Sequence, residues 1–238
     1  SCSLLTPPKM TATRVFSAMR QRYRTRVMAM QNQLVAFTIL AGLLTMLPGI
    51  DTAQVLRSAT LHGTKNAYAT LSGILVGVWV WGIAAAIGVS TILLASAAIY
   101  RGFLLISAGY LLYLGIRMLA ESRHVGNFHI DVSGEPAPVG WKAFFRASLI
   151  TISNPKTGAF YVAILPQFLP HSMSAFTGGL LLSTIHNGLT FVWFSAMIWG
   201  TKLARQFFMR QRVRQWMERI SGLALIGFGM RMALEAKN

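Results

Sequence analysis

Asp51 and Lys156 are the residues from which chemistry is most readily argued, because each is an ionisable side chain set inside a long apolar stretch. Asp51 is the sole acid well inside any such stretch, and only Arg146 matches Lys156 as a base well inside one. A charged side chain at the centre of a bilayer costs roughly 2.5–3.5 kcal/mol on insertion scales, so it is normally paired or faces a wet cavity. Both residues also sit where a helix has to stop and restart. In Leu47-Pro48-Gly49-Ile50-Asp51, Pro48 removes a backbone donor and blocks the preceding turn, while Gly49 tolerates unusual dihedrals. Asp51 can cap the new helix with Gln54 three residues on, a capping-box spacing. In Ser153-Asn154-Pro155-Lys156, Asn154 suits the N-cap and Pro155 the first helical position. Two half-helices starting side by side present free N–H groups and positive dipole ends, which suit a carboxylate. Asp51 in turn suits an ammonium group or a proton. The plainer alternative is a buried Asp51–Lys156 pair that fixes the fold and touches no substrate; a matched pair of breaks is more specific than either charge alone and favours the functional reading. His186 and Asn187 are further polar residues inside an apolar stretch, able to line a path or relay protons, or simply to hydrogen-bond between helices.

The elements that must hold these residues are membrane helices. The chain has 238 residues, 54% hydrophobic and only 12% charged, with a positive mean hydropathy, a departure from soluble composition in the direction of a membrane protein. A spanning helix needs roughly 20 mainly apolar residues, and six stretches qualify as candidates: about 33–56, 69–95, 99–119, 143–169, 175–200 and 216–234. The predicted class is therefore an all-α integral membrane protein with six transmembrane helices, the first and fourth broken at mid-membrane. In the second stretch Gly73, Gly77, Gly82, Ala84, Ala85, Ala86 and Gly88 let neighbouring helices approach closely. Trp79 and Trp81 on the same stretch read as packing or interface anchors.

A formal charge of +16 would suggest nucleic acid in a soluble protein. Here the basic residues gather in the first 26 residues and in the 202–219 connection, both beside apolar stretches, where they serve topology and anionic headgroups; a nucleic-acid partner is not expected. Cys2 is the one cysteine, so no internal disulfide, Cys-based metal site or redox pair can form. No H-E-x-x-H, G-x-S-x-G or Walker pattern occurs, and Gly178-Gly179 lacks the context of a phosphate loop, so neither an enzyme nor a cofactor is expected. Residues 1–30 are polar and basic, contain no acid and lack the apolar core of a secretory signal. They read as a disordered N-terminal extension to a transporter domain of 31–238.

Residues 106–121 and 220–235 align at a constant offset of 114, with Ile, Ser, Leu, Gly, Arg, Met and Glu coinciding. Residues 120–141, holding Glu121, Asp131, Glu135, Pro136 and Pro138, form the one plausible linker. The chain thus divides into repeat one (about 31–119) and repeat two (about 142–236). Three spans per repeat is an odd number, so the second repeat enters from the opposite face, the inverted topology common in secondary transporters. Arg57, Lys65, Arg117, Arg123, Lys142, Arg146 and the basic residues of 202–219 fall on one face, against Arg101, Arg231 and Lys237 on the other. The first face is therefore cytoplasmic.

Three motifs carry a resemblance to a known family: Pro48-Gly49-Ile50-Asp51 at the end of the first stretch, Tyr110 to Arg117 (Y-L-L-Y-L-G-x-R) in the third, and Asn154-Pro155-Lys156 with Phe160 and Leu165-Pro166-Gln167-Phe168 in the fourth. Over about 31–238 the chain resembles the LysE/RhtB family of bacterial amino-acid exporters. Ile50 stands where that family usually has a second proline. The resemblance implies a multi-pass protein of the bacterial inner membrane that exports amino acids or related small zwitterions, driven by proton antiport, with Pro48, Gly49, Asp51, Asn154, Pro155 and Lys156 on the substrate and proton path. A cation exporter of the same superfamily and a non-transporting structural or regulatory membrane protein are the alternatives. One intramembrane acid without a Cys/His ligand cluster makes a weak metal path, so no metal site is expected. The sequence does not set the oligomeric state and is compatible with a homo-oligomer.

Overall fold

The computed structural model describes residues 12–95, 97–123, 138–170 and 173–237, and within them every element is helical. They are α1 (Ala12–Met46), α2 (Ile50–Ala95), α3 (Ala97–Glu121), α4 (Trp141–Ile152), α5 (Pro155–Ala163), a 3₁₀ turn (Leu165–Phe168), α6 (Ala175–Trp199), α7 (Thr201–Met209) and α8 (Gln211–Lys237). Four stretches, Tyr23–Met46, Ile50–Gly88, Arg101–Glu121 and Ala175–Trp199, are long and apolar enough to cross a membrane. The fourth expected span is divided between α4, of 12 residues, and α5, of 9. At 1.5 Å per residue neither piece reaches across roughly 30 Å of hydrocarbon alone. Large apolar side chains lie exposed along most of the helices, among them Ile39, Ile87, Ile106, Val192 and Leu234. Such continuous apolar exposure suits a lipid environment.

The backbone stops where the proline and glycine chemistry requires. α1 ends at Met46, Leu47 to Gly49 are non-helical, and α2 starts at Ile50, with Ala53 N donating to Gly49 O at 3.0 Å. α4 ends at Ile152 and α5 begins at Pro155, where Gly158 N donates to Asn154 O at 3.1 Å. Asn154 is thus at the N-cap position and Pro155 at N1, where its missing N–H costs nothing. A third interruption falls in the gap expected between the first and second apolar stretches, 33–56 and 69–95. Gly63, at φ 75° and ψ −175°, is non-helical and bends α2 into a short arm, 50–62, and a long one, 64–95. Asn66 secures that corner: its Nδ2 donates to Ser58 Oγ at 2.9 Å and to Pro138 O at 3.0 Å, and its Oδ1 accepts from Gly140 N at 2.7 Å. The start of α4 is thereby tied to the bend.

Residues 12–30, expected to be disordered, instead belong to α1. No Gly or Pro lies between Pro8 and Gly42, and the run is rich in Arg, Met, Ala and Gln, so nothing stops a helix from propagating back from the apolar half. Residues 1–11, and most of the expected linker (124–137, with Asp131, Glu135 and Pro136), lie outside the described residues.

Helix packing follows the small residues. The long arm of α2 packs against α4 and α6, and α3 against α8. Gly73 of α2 lies against Phe144 O, Gly77 against Thr151, and Gly82 against Ser183 of α6, each without room for a Cβ. Where α3 crosses α8, a Cβ on Gly115 would stand 2.7 Å from Gly222 O, and one on Gly229 would stand 3.1 Å from Ala108 O. The two contacts run in opposite senses along the helices, so the crossing is antiparallel. Overpacking such a contact costs typically 1–3 kcal/mol. Gly115→Ala should accordingly lower the thermal unfolding midpoint in detergent, whereas Gly109→Ala, with open space at its Cβ, should leave it unchanged.

Candidate functional site

The two interruptions meet. Asp51 lies in the first turn of α2 as its second helical residue, two positions past the cap that its spacing suggested for it, because the helix begins at Ile50. Its Oδ1 accepts from Thr151 Oγ1 of α4 at 3.0 Å and from Gln54 Nε2 at 3.4 Å. The side chain that was to reach back to the backbone as a capping box therefore points to the carboxylate, and the carboxylate reaches across to the end of the other broken helix. The negative charge remains at a helix N-terminus, where the dipole favours it.

Trp81 braces the second break. Its Nε1 donates to Ile152 O at 3.0 Å, one of the carbonyls left without an intrahelical partner where α4 ends. Its ring also covers Gly158 of α5, where a Cβ would fall 2.6 Å from the ring edge. A residue expected to be an anchor thus holds the end of α4 and the first turn of α5 together. Trp81 and Gly77, which meets Thr151, place both breaks beside the middle of α2's long arm.

His186 ties the first break to the second from α6. Thr45 Oγ1 donates its proton to Ala41 O at 2.7 Å, so it can only accept from His186 Nε2 at 3.1 Å. Nδ1 then accepts from Tyr161 OH at 2.9 Å, which makes the ring the neutral Nε2–H tautomer. Thr45 lies just before the α1 break and Tyr161 lies on α5, so one buried imidazole bridges both broken helices. Phe160 packs on the same ring with centroids 4.9 Å apart.

Between the breaks lies a cavity of about 430 Å³. Pro48, Gly49, Asp51, Asn154 and His186 all line it. Asn187 does not; it is buried with Nδ2 on Ser183 O of its own helix at 3.1 Å. Pro155 and Lys156 belong to α5, but their side chains lie outside the described residues, as does the expected Asp51–Lys156 pairing. The lining also includes Arg117, Glu121 and Glu218, together with the hydroxyl-bearing Thr45, Thr157 and Thr190. Arg117 was read as a topology determinant and a motif residue and Glu121 as part of the linker, and Glu218 was not singled out; what brings them to the cavity is the α3–α8 crossing, which no local pattern reveals. The remaining wall is apolar, with Leu44, Ile74, Val78, Leu111, Phe160 and Phe194. A largely apolar chamber with a few convergent polar groups is the form of a small-molecule site.

Helices broken at a shared cavity, one acid at a helix start and an apolar outer surface together define a membrane translocator. The family model described as LysE type translocator matches residues 43–236, and the chain belongs to that family. Among its relatives are the leucine efflux protein of Klebsiella pneumoniae, 28% identical over 84% of this chain and 93% of that one. The leucine efflux protein of Enterobacter sp. is 27% identical over 83% and 93%. A membrane protein of Bacillus subtilis, YrhP, is 26% identical over 85% and 99%. No solved structure matches the chain.

The bracing by Trp81 is open to direct measurement. Trp81→Phe keeps the ring over Gly158 but removes the donor to Ile152 O, and a buried acceptor left unsatisfied costs about 1–3 kcal/mol. A lowered unfolding midpoint in detergent is the expected result.

Proposed function

We propose that the protein exports neutral, apolar amino acids across a bacterial inner membrane by proton antiport, with no enzymatic step. The observation that carries this reading is the cavity itself: Asp51 and the two half-helix starts stand at one shared cavity, and the rest of its wall is mostly apolar. A zwitterion needs an anionic group for its ammonium and N–H or cationic groups for its carboxylate. The apolar wall then selects the side chain, and the relatives named for leucine efflux agree with that selection.

Transport across the membrane requires the cavity to open to each face in turn, and an inverted repeat supplies two interconvertible arrangements. The α3–α8 crossing supports such a repeat. At the offset of 114 residues, Gly115 corresponds to Gly229 and Ala108 to Gly222. The contact of Gly115 with Gly222 and that of Gly229 with Ala108 are therefore equivalents of each other, as a two-fold relation between repeats demands. In this scheme Pro48, Gly49, Asn154, Pro155 and Lys156 shape the path, His186 holds the two breaks in register, and Asp51 carries a proton in one state and the substrate ammonium in the other.

The test is efflux from cells or inverted vesicles preloaded with labelled amino acids. Leucine and similar side chains should leave faster with the intact protein, and that gain should vanish both in Asp51→Asn and when the proton gradient is collapsed. Full export by Asp51→Asn would remove Asp51 from the coupling step. Movement of a cation in place of any amino acid would overturn the substrate class.

A further inference from the structure

Among the described residues, Arg117 is the one cation lining the cavity. Its Nε donates to Glu121 Oε1 at 2.7 Å, yet the two side chains remain 57% and 56% exposed. An exposed i,i+4 pair contributes little to stability, so stability alone is a weak reason for placing a guanidinium here. The pairing does fix the fork: Glu121 occupies one edge of a planar group that matches a carboxylate with two parallel donors. The remaining edge of the guanidinium is the one a substrate carboxylate would meet from the cavity that Arg117 lines.

We propose that Arg117 receives the substrate's α-carboxylate at the mouth of the cavity, and that Arg231 is its counterpart at the opposite mouth. This rests on the export reading above. The second half follows from the repeat. Arg117 and Glu121 correspond to Arg231 and Glu235 at the 114-residue offset. Because Gly115 meets Gly222 and Ala108 meets Gly229 in an antiparallel crossing, Arg117 stands near the start of α8, whereas Arg231 lies toward its far end. With 1.5 Å of rise per residue, the two arginines belong to opposite ends of the packed pair. Only Arg117 lines the cavity in the arrangement seen here, which assigns this arrangement to the face that bears Arg57, Arg123 and the basic α7–α8 segment. The alternating repeat would expose Arg231 to the other face.

The experiment uses the full-length protein in proteoliposomes, with labelled leucine as substrate and leucinamide, whose carboxylate is capped, as competitor. In the wild-type protein leucine should bind at least about 10-fold more tightly than leucinamide, the range expected for a charge-assisted pair. In Arg117→Gln that ratio should fall toward one, because leucine weakens while leucinamide is little changed; Arg117→Lys should restore part of it. The effect should appear for leucine presented on one face, and Arg231→Gln should produce it on the other. An unchanged leucine-to-leucinamide ratio in Arg117→Gln, whatever happens to the rate, overturns the assignment of Arg117. An Arg231→Gln effect on the same face as Arg117→Gln, or on neither, overturns the pairing. Wild-type protein that moves no leucine at all overturns the export reading on which both depend.

Discussion

The structure depends on a constraint of the membrane interior: a backbone group that loses its helical partner there must find another, because no bulk water can supply one. The chain stops two helices in apolar surroundings, and side chains distant in sequence tie the two interruptions together. Trp81 takes the carbonyl of Ile152. Thr151 at the end of one broken helix donates to Asp51 at the start of the other. His186 joins Thr45 to Tyr161. The first of these bonds satisfies a carbonyl freed by a break, while the others are side-chain bonds that join residues beside the two breaks and hold Asp51 and His186 at the cavity wall.

Rigidity around the site comes from close helix contacts rather than from buried charge. Lipid removes most of the hydrophobic drive between helices, leaving dispersion and hydrogen bonding to hold them. The glycines of α2 admit α4 and α6 to near backbone contact, and those of α3 and α8 admit each other. Such contacts hold α2, α4 and α6 together, and α3 with α8, by close backbone approach. Asp51 belongs to one interruption and Thr151 to the other, so a change in the carboxylate's protonation state acts directly on the joint.

Much of this was legible in the sequence wherever the cause is local. Pro48-Gly49 and Asn154-Pro155 mark the breaks because proline and glycine act on their own backbone, and the resulting helix starts fall within a residue of expectation. The small-residue spacing of α2 announced its close neighbours for the same reason. What escaped depends on tertiary placement. Thr151, which donates to Asp51, is 100 positions away, and nothing local marks Arg117, Glu121 or Glu218 as cavity residues before the α3–α8 crossing brings them there. Residues 12–30 were misjudged by composition: basic, acid-free sequence suggests disorder, but an uninterrupted run of helix formers attached to a long helix continues it. Asn187 shows the limit of adjacency, since the next residue after His186 on a helix turns about 100° away and bonds to its own turn.

The proposed export places the bound amino acid in the chamber between the two breaks. Thiol protection tests it most directly. With Cys2 changed to Ser, a cysteine placed by Thr157→Cys on the cavity wall is the only thiol in the protein, and its labelling by a water-soluble maleimide can be followed in membranes with and without leucine. The account predicts that saturating leucine slows the labelling several-fold while glutamate does not. Equal labelling rates with and without leucine, in protein that still transports it, would place the binding site elsewhere.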